Sequence, residues 1–484
     1  METTVLKFGG TSVEDRAAFE RVAGIVAAHG ISRPVVVVSA MARVTDALLQ
    51  SASEASGGDA ASASRRLEEH YERHLSVAES LCGGARERLL KAIGRARPGV
   101  TRCLEEIAAC GEATPRLQDS VVSYGERLSA RLLAAVLEGW GLRARYVDAR
   151  RCVLTDAHYG NARPLPAETL KGTRAALLPV LEAGEIPVLG GFIGSTPCGS
   201  TTTLGRGGSD YTAALVGMTL RSREIQIWTD VNGVLTADPR VVKSARTVSR
   251  LSYDEAAELT YFGAKVLHPL TVQPAVEHGI PVRVCNSRAP EHPGTLVNDE
   301  LEVCHARPVK AIAHRMGGVS IEVSSETLLG GHGLLGSILE VFKRHATPVD
   351  LLSTSAAGLS LTLDGGGALP SIVDELRQLC PLEVRENRAL VCLVGEGLRH
   401  APGVAAQVSR MLDDGDVSAV SQFASSNNLK LVVGEERIGD VVTRLHREFF
   451  ESEQVSALVE DVQGNMLAPA YNLTPEGALT PGRV

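Results

Sequence analysis

Aromatic side chains are scarce in this 484-residue chain, at 4%. Cores with so few large anchors must be filled mainly by aliphatic residues, and the 48 glycines point to many tight backbone turns. No C-x-x-C pair occurs among the nine cysteines, an odd number scattered from Cys82 to Cys392. That excludes a disulfide framework and a zinc ribbon, leaving buried thiols in a reducing, cytoplasmic compartment as the expectation. The longest aliphatic block, Val35 to Val38, is far too short to span a bilayer, so no membrane partner is expected. METTVLKFGG carries no basic n-region and runs straight into a strand pattern, which argues against a secretory signal. Positive charge is not in excess either: 49 basic against 57 acidic residues leave −8. That disfavours a nucleic-acid partner, while local cationic sites for a small anion remain open.

What is present suffices for real cores. The chain is 44% hydrophobic and 22% charged, ordinary for a globular protein, and its length suggests about three domains. Thr4 to Phe8 and Pro34 to Ser39 are short apolar runs with a helical pattern, Ala17 to Ala28, between them. That order is the βαβ signature of a mostly parallel sheet. From Asp46 to Glu138 the pattern is almost wholly helical, broken by SASEASGGDAASAS, which reads as an exposed small-residue connection. Strand-like runs return at Arg145 to Asp148, Ile186 to Leu189, Glu224 to Thr229 and Pro281 to Cys285, with a helix start at Ser252-x-x-Glu255. After Asn286 the pattern changes to two successive β-α-β-β-α passes, an internal repeat of ferredoxin-like βαββαβ type.

Four segments carry chemistry. In Lys7-Phe8-Gly9-Gly10-Thr11-Ser12 a strand ends in two glycines before a helix, an arrangement that suits phosphate but is not the Walker order. The segment Gly190 to Gly217 opens with a long Gly/Ser/Thr loop that follows an aliphatic strand, at the end where open α/β sheets bind ligands. It leads through Arg206, whose planar fork suits carboxylate or phosphate, to Asp210 in the first turn of a helix. Trp228 to Arg240 gathers hydroxyl, carboxylate and guanidinium groups after another strand, and Phe262 to Pro269 places Lys265 among apolar residues and glycine. Each segment has a bland reading: a structural GG turn, a helix-capping aspartate, a surface lysine.

Taken together, KFGGTS, TTLGRGGSDYTA, WTDVNGV…ADPR and GAKVLHP, with VSAMARVTDALL and VSYGERLSARLL, resemble the ordered motif set of the amino-acid kinase superfamily. Within it they closely resemble the aspartate kinases, over about residues 3 to 290, and the repeated modules are similar to that family's regulatory ACT domains. The resemblance implies an α/β fold: an open, mostly parallel sheet with helices on both faces over 1–295. Two ferredoxin-like ACT modules would follow at 306–382 and 386–463, with insertion of the second into the first left open against a simple succession, then a loose tail at 464–484. It implies ATP-dependent phosphorylation of the side-chain carboxylate of L-aspartate to 4-phospho-L-aspartate, the entry to lysine, threonine and methionine biosynthesis, with ATP and Mg²⁺ as cofactors.

Carried over residue by residue, Lys7, Asp210 and Lys265 would be catalytic, with Asp210 orienting the lysines rather than acting as a base. Lys7, Phe8, Gly9, Gly10, Thr229 and Asp230 would bind ATP, together with Leu235, Arg240, Lys265 and Val266. Ser39, Thr45, Glu126, Phe192 and Arg206 would hold aspartate, Glu126 facing its ammonium and Arg206 a carboxylate. No residue is assigned as a metal ligand. An amino-acid effector, lysine or threonine, would sit by Gly333, Leu335 and Ser337 and by Val349, Asp350 and Ser355, in a homodimer or higher homo-oligomer. Three positions depart from the family pattern: Arg43 where Gly is common, Leu235 where Tyr is frequent, and Ala356 where lysine-sensitive relatives often carry Glu. The last predicts weak or absent lysine inhibition. The competing readings are another kinase of the superfamily, acting on glutamate or a uridine nucleotide, and a catalytically dead amino-acid sensor.

Overall fold

The computed structural model describes residues 2–81, 83–263, 269–299, 308–324, 333–355, 358–396, 398, 401–412, 417–422 and 427–451. Ten strands belong to the first unit: β1 (Thr4–Phe8), β2 (Pro34–Val38), β3 (Ala144–Val147), β4 (Ile186–Gly190), β5 (Ile193–Ser195), β6 (Thr201–Thr203), β7 (Glu224–Thr229), β8 (Arg250–Leu251), β9 (Val282–Asn286) and β10 (Thr295–Val297). Eight of them form one sheet in the order β3-β4-β2-β1-β7-β9-β10-β8. The pairings from β3 through β9 are all parallel, and only β10 against β9 is antiparallel.

The period of two along a strand explains why both faces are covered. In β1 and β2, Leu6, Phe8, Val36 and Val38 enter a core with the helices Arg16–Ala28, Val44–Ser56 and Pro115–Gly139. The alternate residues Val5, Val35 and Val37 enter a second core with Pro166–Glu182, Gly208–Leu220 and Tyr253–Tyr261. The last of these helices opens with the Ser252/Glu255 capping box legible in the sequence.

Two local readings change. SASEASGGDAASAS is mostly helical, in Val44–Ser56 and Ala60–Arg66, with a turn only at Gly57 and Gly58. Its small residues are packing contacts: Ser51, Ala52, Ala55 and Ala63 are fully buried. After the double glycine the chain makes a short 3-10 turn, Gly10–Val13, and the α-helix starts one turn later, capped by Asp15, whose carboxylate accepts from Ala18 N at 2.8 Å.

The second unit is a single antiparallel sheet of β11 (Ala311–Ser324), β12 (Leu351–Ser355), β13 (Gly358–Asp364), β14 (Leu382–Val394), β15 (Val417–Gln422) and β16 (Asn428–Gly434), in the order β12-β13-β11-β14-β16-β15. Its two long strands each serve two modules. Gly318–Ser324 of β11 pairs with β13 and, from Ser320 to Val323, with the start of β14, over a core of Val319, Ile321, Ile338 and Leu361. Ala311–Arg315 of β11 pairs with Leu390–Val394 of β14, over a separate core of Ile312, Val391, Leu431 and Val441. The register shifts between the two halves of β11, at Arg315 to Gly318 and again by Ser320. Pairing therefore divides the sheet differently from a tandem split at 306–382 and 386–463. The closing strand of the second module is Ala311–Arg315, upstream of the whole first module, which lies between that strand and the rest. The tail expected over 464–484 lies outside the described residues.

Candidate active site

The carboxyl ends of β1, β2 and β4 open onto the cleft that gathers most of the expected functional side chains, the end at which parallel sheets bind ligands. Lys7, near the end of β1, reaches Asp210 in the first turn of helix Gly208–Leu220 as an ion pair at 2.6 Å. Both side chains are largely shielded, at 11% and 17% exposure, so the pair is weakly screened. Lys7 and Asp210 line a cleft of about 530 Å³ together with Ser39, Thr45, Glu126, Phe192 and Arg206. The five residues expected to hold aspartate thus share one cavity with two of the three expected catalytic residues.

Within that cavity Glu126 stands apart. Its carboxylate is buried; Oε1 accepts from Ala40 N at 3.3 Å, while Oε2 is buried with no hydrogen-bond partner. Burial raises its pKa to about 7. The backbone is tight against it, since a Cβ on Gly190 would lie 2.9 Å from the Glu126 Cβ. Gly207, at φ +71, caps the helix that carries Asp210, in a backbone region that suits glycine. Ser39 donates to Ser209 at 3.0 Å, joining the loop after β2 to that same helix.

Sequence reasoning missed Asp119, which also lines the cleft. Its carboxylate accepts from Gly160 N at 3.0 Å, Thr203 N at 2.9 Å and Thr203 Oγ1 at 2.6 Å. It ties helix Pro115–Gly139 to β6 and to the loop at Gly160, and no motif marked it.

The expected nucleotide residues are less uniform. Phe8 gives no side chain to the cleft, for it is fully buried and stacks on Trp228 with ring centroids 6.0 Å apart. Its carbonyl accepts from Ser39 N at 3.0 Å. The Gly9 N–H is likewise engaged, by the Trp228 carbonyl at 3.1 Å, so it is not a free donor here. Thr229 and Asp230 lie at the end of β7, outside the cleft's lining, with Thr229 Oγ1 donating to Asp230 at 3.2 Å. Leu235 is half-buried and Arg240 projects into solvent, 83% exposed and paired with Asp238. Lys265 and Val266 lie outside the described residues.

Comparison with known proteins decides the family. The amino acid kinase family profile matches residues 2–286, and an ACT domain profile matches 391–449. Lysine-sensitive aspartokinase 3 of Escherichia coli is 38% identical over 463 residues, covering 93% of this chain and all of the relative. The chain belongs to the aspartokinases of the amino acid kinase family. Aspartokinase 3 of Arabidopsis thaliana, a chloroplastic protein, is 34% identical over 96% of this chain and 85% of its own length. The crystal structure of E. coli aspartokinase III with aspartate and ADP superposes with a TM-score of 0.77 at 37% identity, over 93% of this chain and 100% of that one. The same protein with lysine and aspartate gives 0.77 as well. This aspartokinase is therefore an ATP-dependent phosphotransferase with an allosteric ACT region.

In this aspartokinase the regulatory sheet is fastened directly to the catalytic unit. Glu255, at the start of helix Tyr253–Tyr261, is fully buried and receives Lys310 Nζ at 2.8 Å and Glu396 N at 2.5 Å. At the other end of the helix the Tyr261 hydroxyl donates to Asp350 at 2.6 Å, and Asp350 also pairs with Arg315. Asp350, expected at the effector site, thus has both carboxylate oxygens engaged. Gly333, at φ +103, caps helix Leu334–Arg344, with Leu335 partly buried and Ser337 exposed in its first turn; Val349 packs on the module's core. Ser355 ends β12 and pairs with Gly358, while Ala356 lies outside the described residues. No helix among the described residues is long and apolar enough to cross a membrane.

Proposed function

We propose that the cleft between Lys7 and Glu126 seats L-aspartate with its ammonium on Glu126, one carboxylate on Arg206, and its side-chain carboxylate turned toward Lys7. The observation that carries this is Glu126 Oε2, a buried acceptor with no partner in a cavity that five expected substrate residues line. An ammonium satisfies that acceptor, and a salt-linked guanidinium holds a carboxylate in fixed geometry. Thr45, Ser39 and Phe192 shape the rest of the seat.

The nucleophile is a carboxylate already ionised at neutral pH, so no strong general base is needed. The difficulty is to bring two anions together and spread charge in a loose transition state. Lys7, held in place by Asp210, supplies one fixed cation on the transferring phosphoryl group, and Lys265 is proposed as a second. Gly10 and the turn after β1 would approach the phosphates, with Thr229, Asp230, Leu235, Arg240 and Val266 around the rest of the nucleotide. Mg²⁺ would enter with ATP, oriented together with the lysines by Asp210, and would neutralise charge on the phosphates. The product is 4-phospho-L-aspartate, which opens the route to lysine, threonine and methionine.

The first ACT module is the proposed effector site, around Gly333, Leu335, Ser337, Val349 and Ser355, for lysine or threonine in a homodimer. Lysine would act weakly, since Ala356 offers its ammonium no carboxylate. A reducing, cytoplasmic setting belongs to the same reading, with the seven described cysteines present as free thiols. A hydroxamate assay comparing aspartate with glutamate tests the substrate, and lysine, threonine and methionine added singly and in pairs test the regulator. Turnover of glutamate in preference to aspartate contradicts the reading, and so does strong inhibition by micromolar lysine.

A further inference from the structure

On its opposite side the helix that carries Glu126 faces a second cavity. It lies between helices Gly83–Cys110 and Pro115–Gly139 and the edge strand β3, has a volume of about 500 Å³, and shares no lining residue with the catalytic cleft. Five cations line it: Arg88, Lys91 and Arg95 from the first helix, Arg127 and Arg131 from the second. The one lining carboxylate, Glu138, pairs with Arg88. The next acid, Asp148 beyond Tyr146, is taken by Arg150 at 2.7 Å. In a chain of net charge −8, so lopsided a groove is a local construction rather than a reflection of composition.

The walls are built for a ligand that is flat in one part and anionic in another. Arg127 lies 4.5 Å over the Tyr124 ring and Arg131 4.1 Å over the Tyr146 ring, which fixes both guanidinium planes. Two polar atoms here are buried without a hydrogen-bond partner, Arg127 Nε and the Tyr146 hydroxyl. Leu89, Ala96 and Leu128 give an apolar floor. Burial lowers the proton affinity of Arg131, and the Arg127 and Arg150 charges add to this against the opposing effects of Tyr146 and Asp148.

We propose that this groove is a second anion site, taking a small polyphosphate with room for an attached base. Forked guanidinium groups pair with phosphate oxygens, their planes held on the tyrosines offer a flat face on which a base can stack, and the volume falls within the range of small-molecule pockets. Lys91 and Arg95, exposed at the rim, draw the phosphate chain in, while Arg127 and Arg131 receive it.

Titration calorimetry of the full chain tests this, with saturating Mg-ADP and aspartate filling the catalytic cleft. Inorganic tripolyphosphate and GTP are added in separate runs. The expected result is one further site per chain for at least one of them, weakened tenfold or more in Lys91→Ala/Arg95→Ala. That variant changes only exposed side chains, and its KM values for aspartate and ATP should be unchanged. No further binding of either anion overturns the proposal, as does binding in the variant within twofold of the parent. It is equally overturned if neither anion binds and the variant instead alters the oligomeric state, which makes the groove a contact between copies of the chain.

Discussion

The hydroxyl of Tyr261 donates to Asp350 at 2.6 Å, joining the last turn of a catalytic-unit helix to the regulatory sheet beside β12. Lys265 follows only four residues later. Any effector that shifts the start of β12 must therefore break or move a contact made four residues upstream, in sequence, of a proposed catalytic lysine. Tyr261→Phe removes the hydrogen bond and keeps the ring. We expect activity without effector to stay within about twofold, and inhibition to weaken at least about fivefold, the low end of typical allosteric coupling. Dose–response curves with the identified effector check this. An unchanged midpoint would show that coupling runs elsewhere, for instance through Glu255 and Lys310.

Lys7 and Asp210 act as one unit. Lys7→Ala should lower kcat by about 10² to 10³, the usual loss when a preorganised donor to a transition-state anion is removed. Asp210→Asn leaves the lysine without its orienting charge and should lose less. The double variant should be little worse than Lys7→Ala, because the two changes remove the same arrangement. Steady-state kinetics of the four proteins decide it, and strict additivity would argue against a shared role.

Glu126 has a pKa raised to about 7 by burial, and it is the ionised form that pairs with an ammonium. As pH falls below 7 the carboxyl group protonates, and kcat/KM for aspartate should drop by up to about tenfold per pH unit. Glu126→Gln should flatten that limb and raise KM. Stability moves the other way: a carboxyl with a raised folded pKa weakens the fold as pH rises from its unfolded value through 7. The glutamine variant should therefore be the more stable protein at pH 8 by thermal denaturation. A pH–rate profile with the same acidic limb in both proteins would assign that limb to another group.

Arg43 caps helix Val44–Ser56 at φ +69, a left-handed conformation that costs a residue with a Cβ roughly 1 kcal/mol. A glycine, which the family pattern leads one to expect there, would adopt this conformation without that cost. Arg43→Gly should raise stability by about 0.5 to 1 kcal/mol, less whatever extra freedom the glycine gains in the unfolded chain. Denaturant unfolding measures it. Destabilisation would mean that the exposed Arg43 side chain makes a compensating contact.

Much of this was legible in the sequence, because it is written in local signals. The strands Thr4–Phe8 and Glu224–Thr229 and the Ser252/Glu255 capping box are short-range patterns, and the motifs proposed to seat aspartate are contiguous runs. What was not legible depends on distant pairing. The two β-α-β-β-α passes could be counted, but the closing strand of the second comes from Ala311–Arg315, ahead of the first, and no periodicity marks that exchange. Asp119 and the Tyr261–Asp350 contact each join residues far apart in the chain. The direction of the Phe8 side chain was not legible either, because a motif position does not say which way a strand residue points, and the pleat turns it into the core.

The central claim is that Glu126 reads the substrate's ammonium, and one comparison tests it most directly. ADP release is measured with aspartate and with succinate, which keeps both carboxylates but lacks the amino group, for the parent and for Glu126→Gln. The account predicts that the parent discriminates strongly for aspartate and that the variant loses most of that preference by losing activity on aspartate alone. If Glu126→Gln keeps the parent's full preference for aspartate over succinate, the ammonium is bound elsewhere and the assignment of this cleft is wrong.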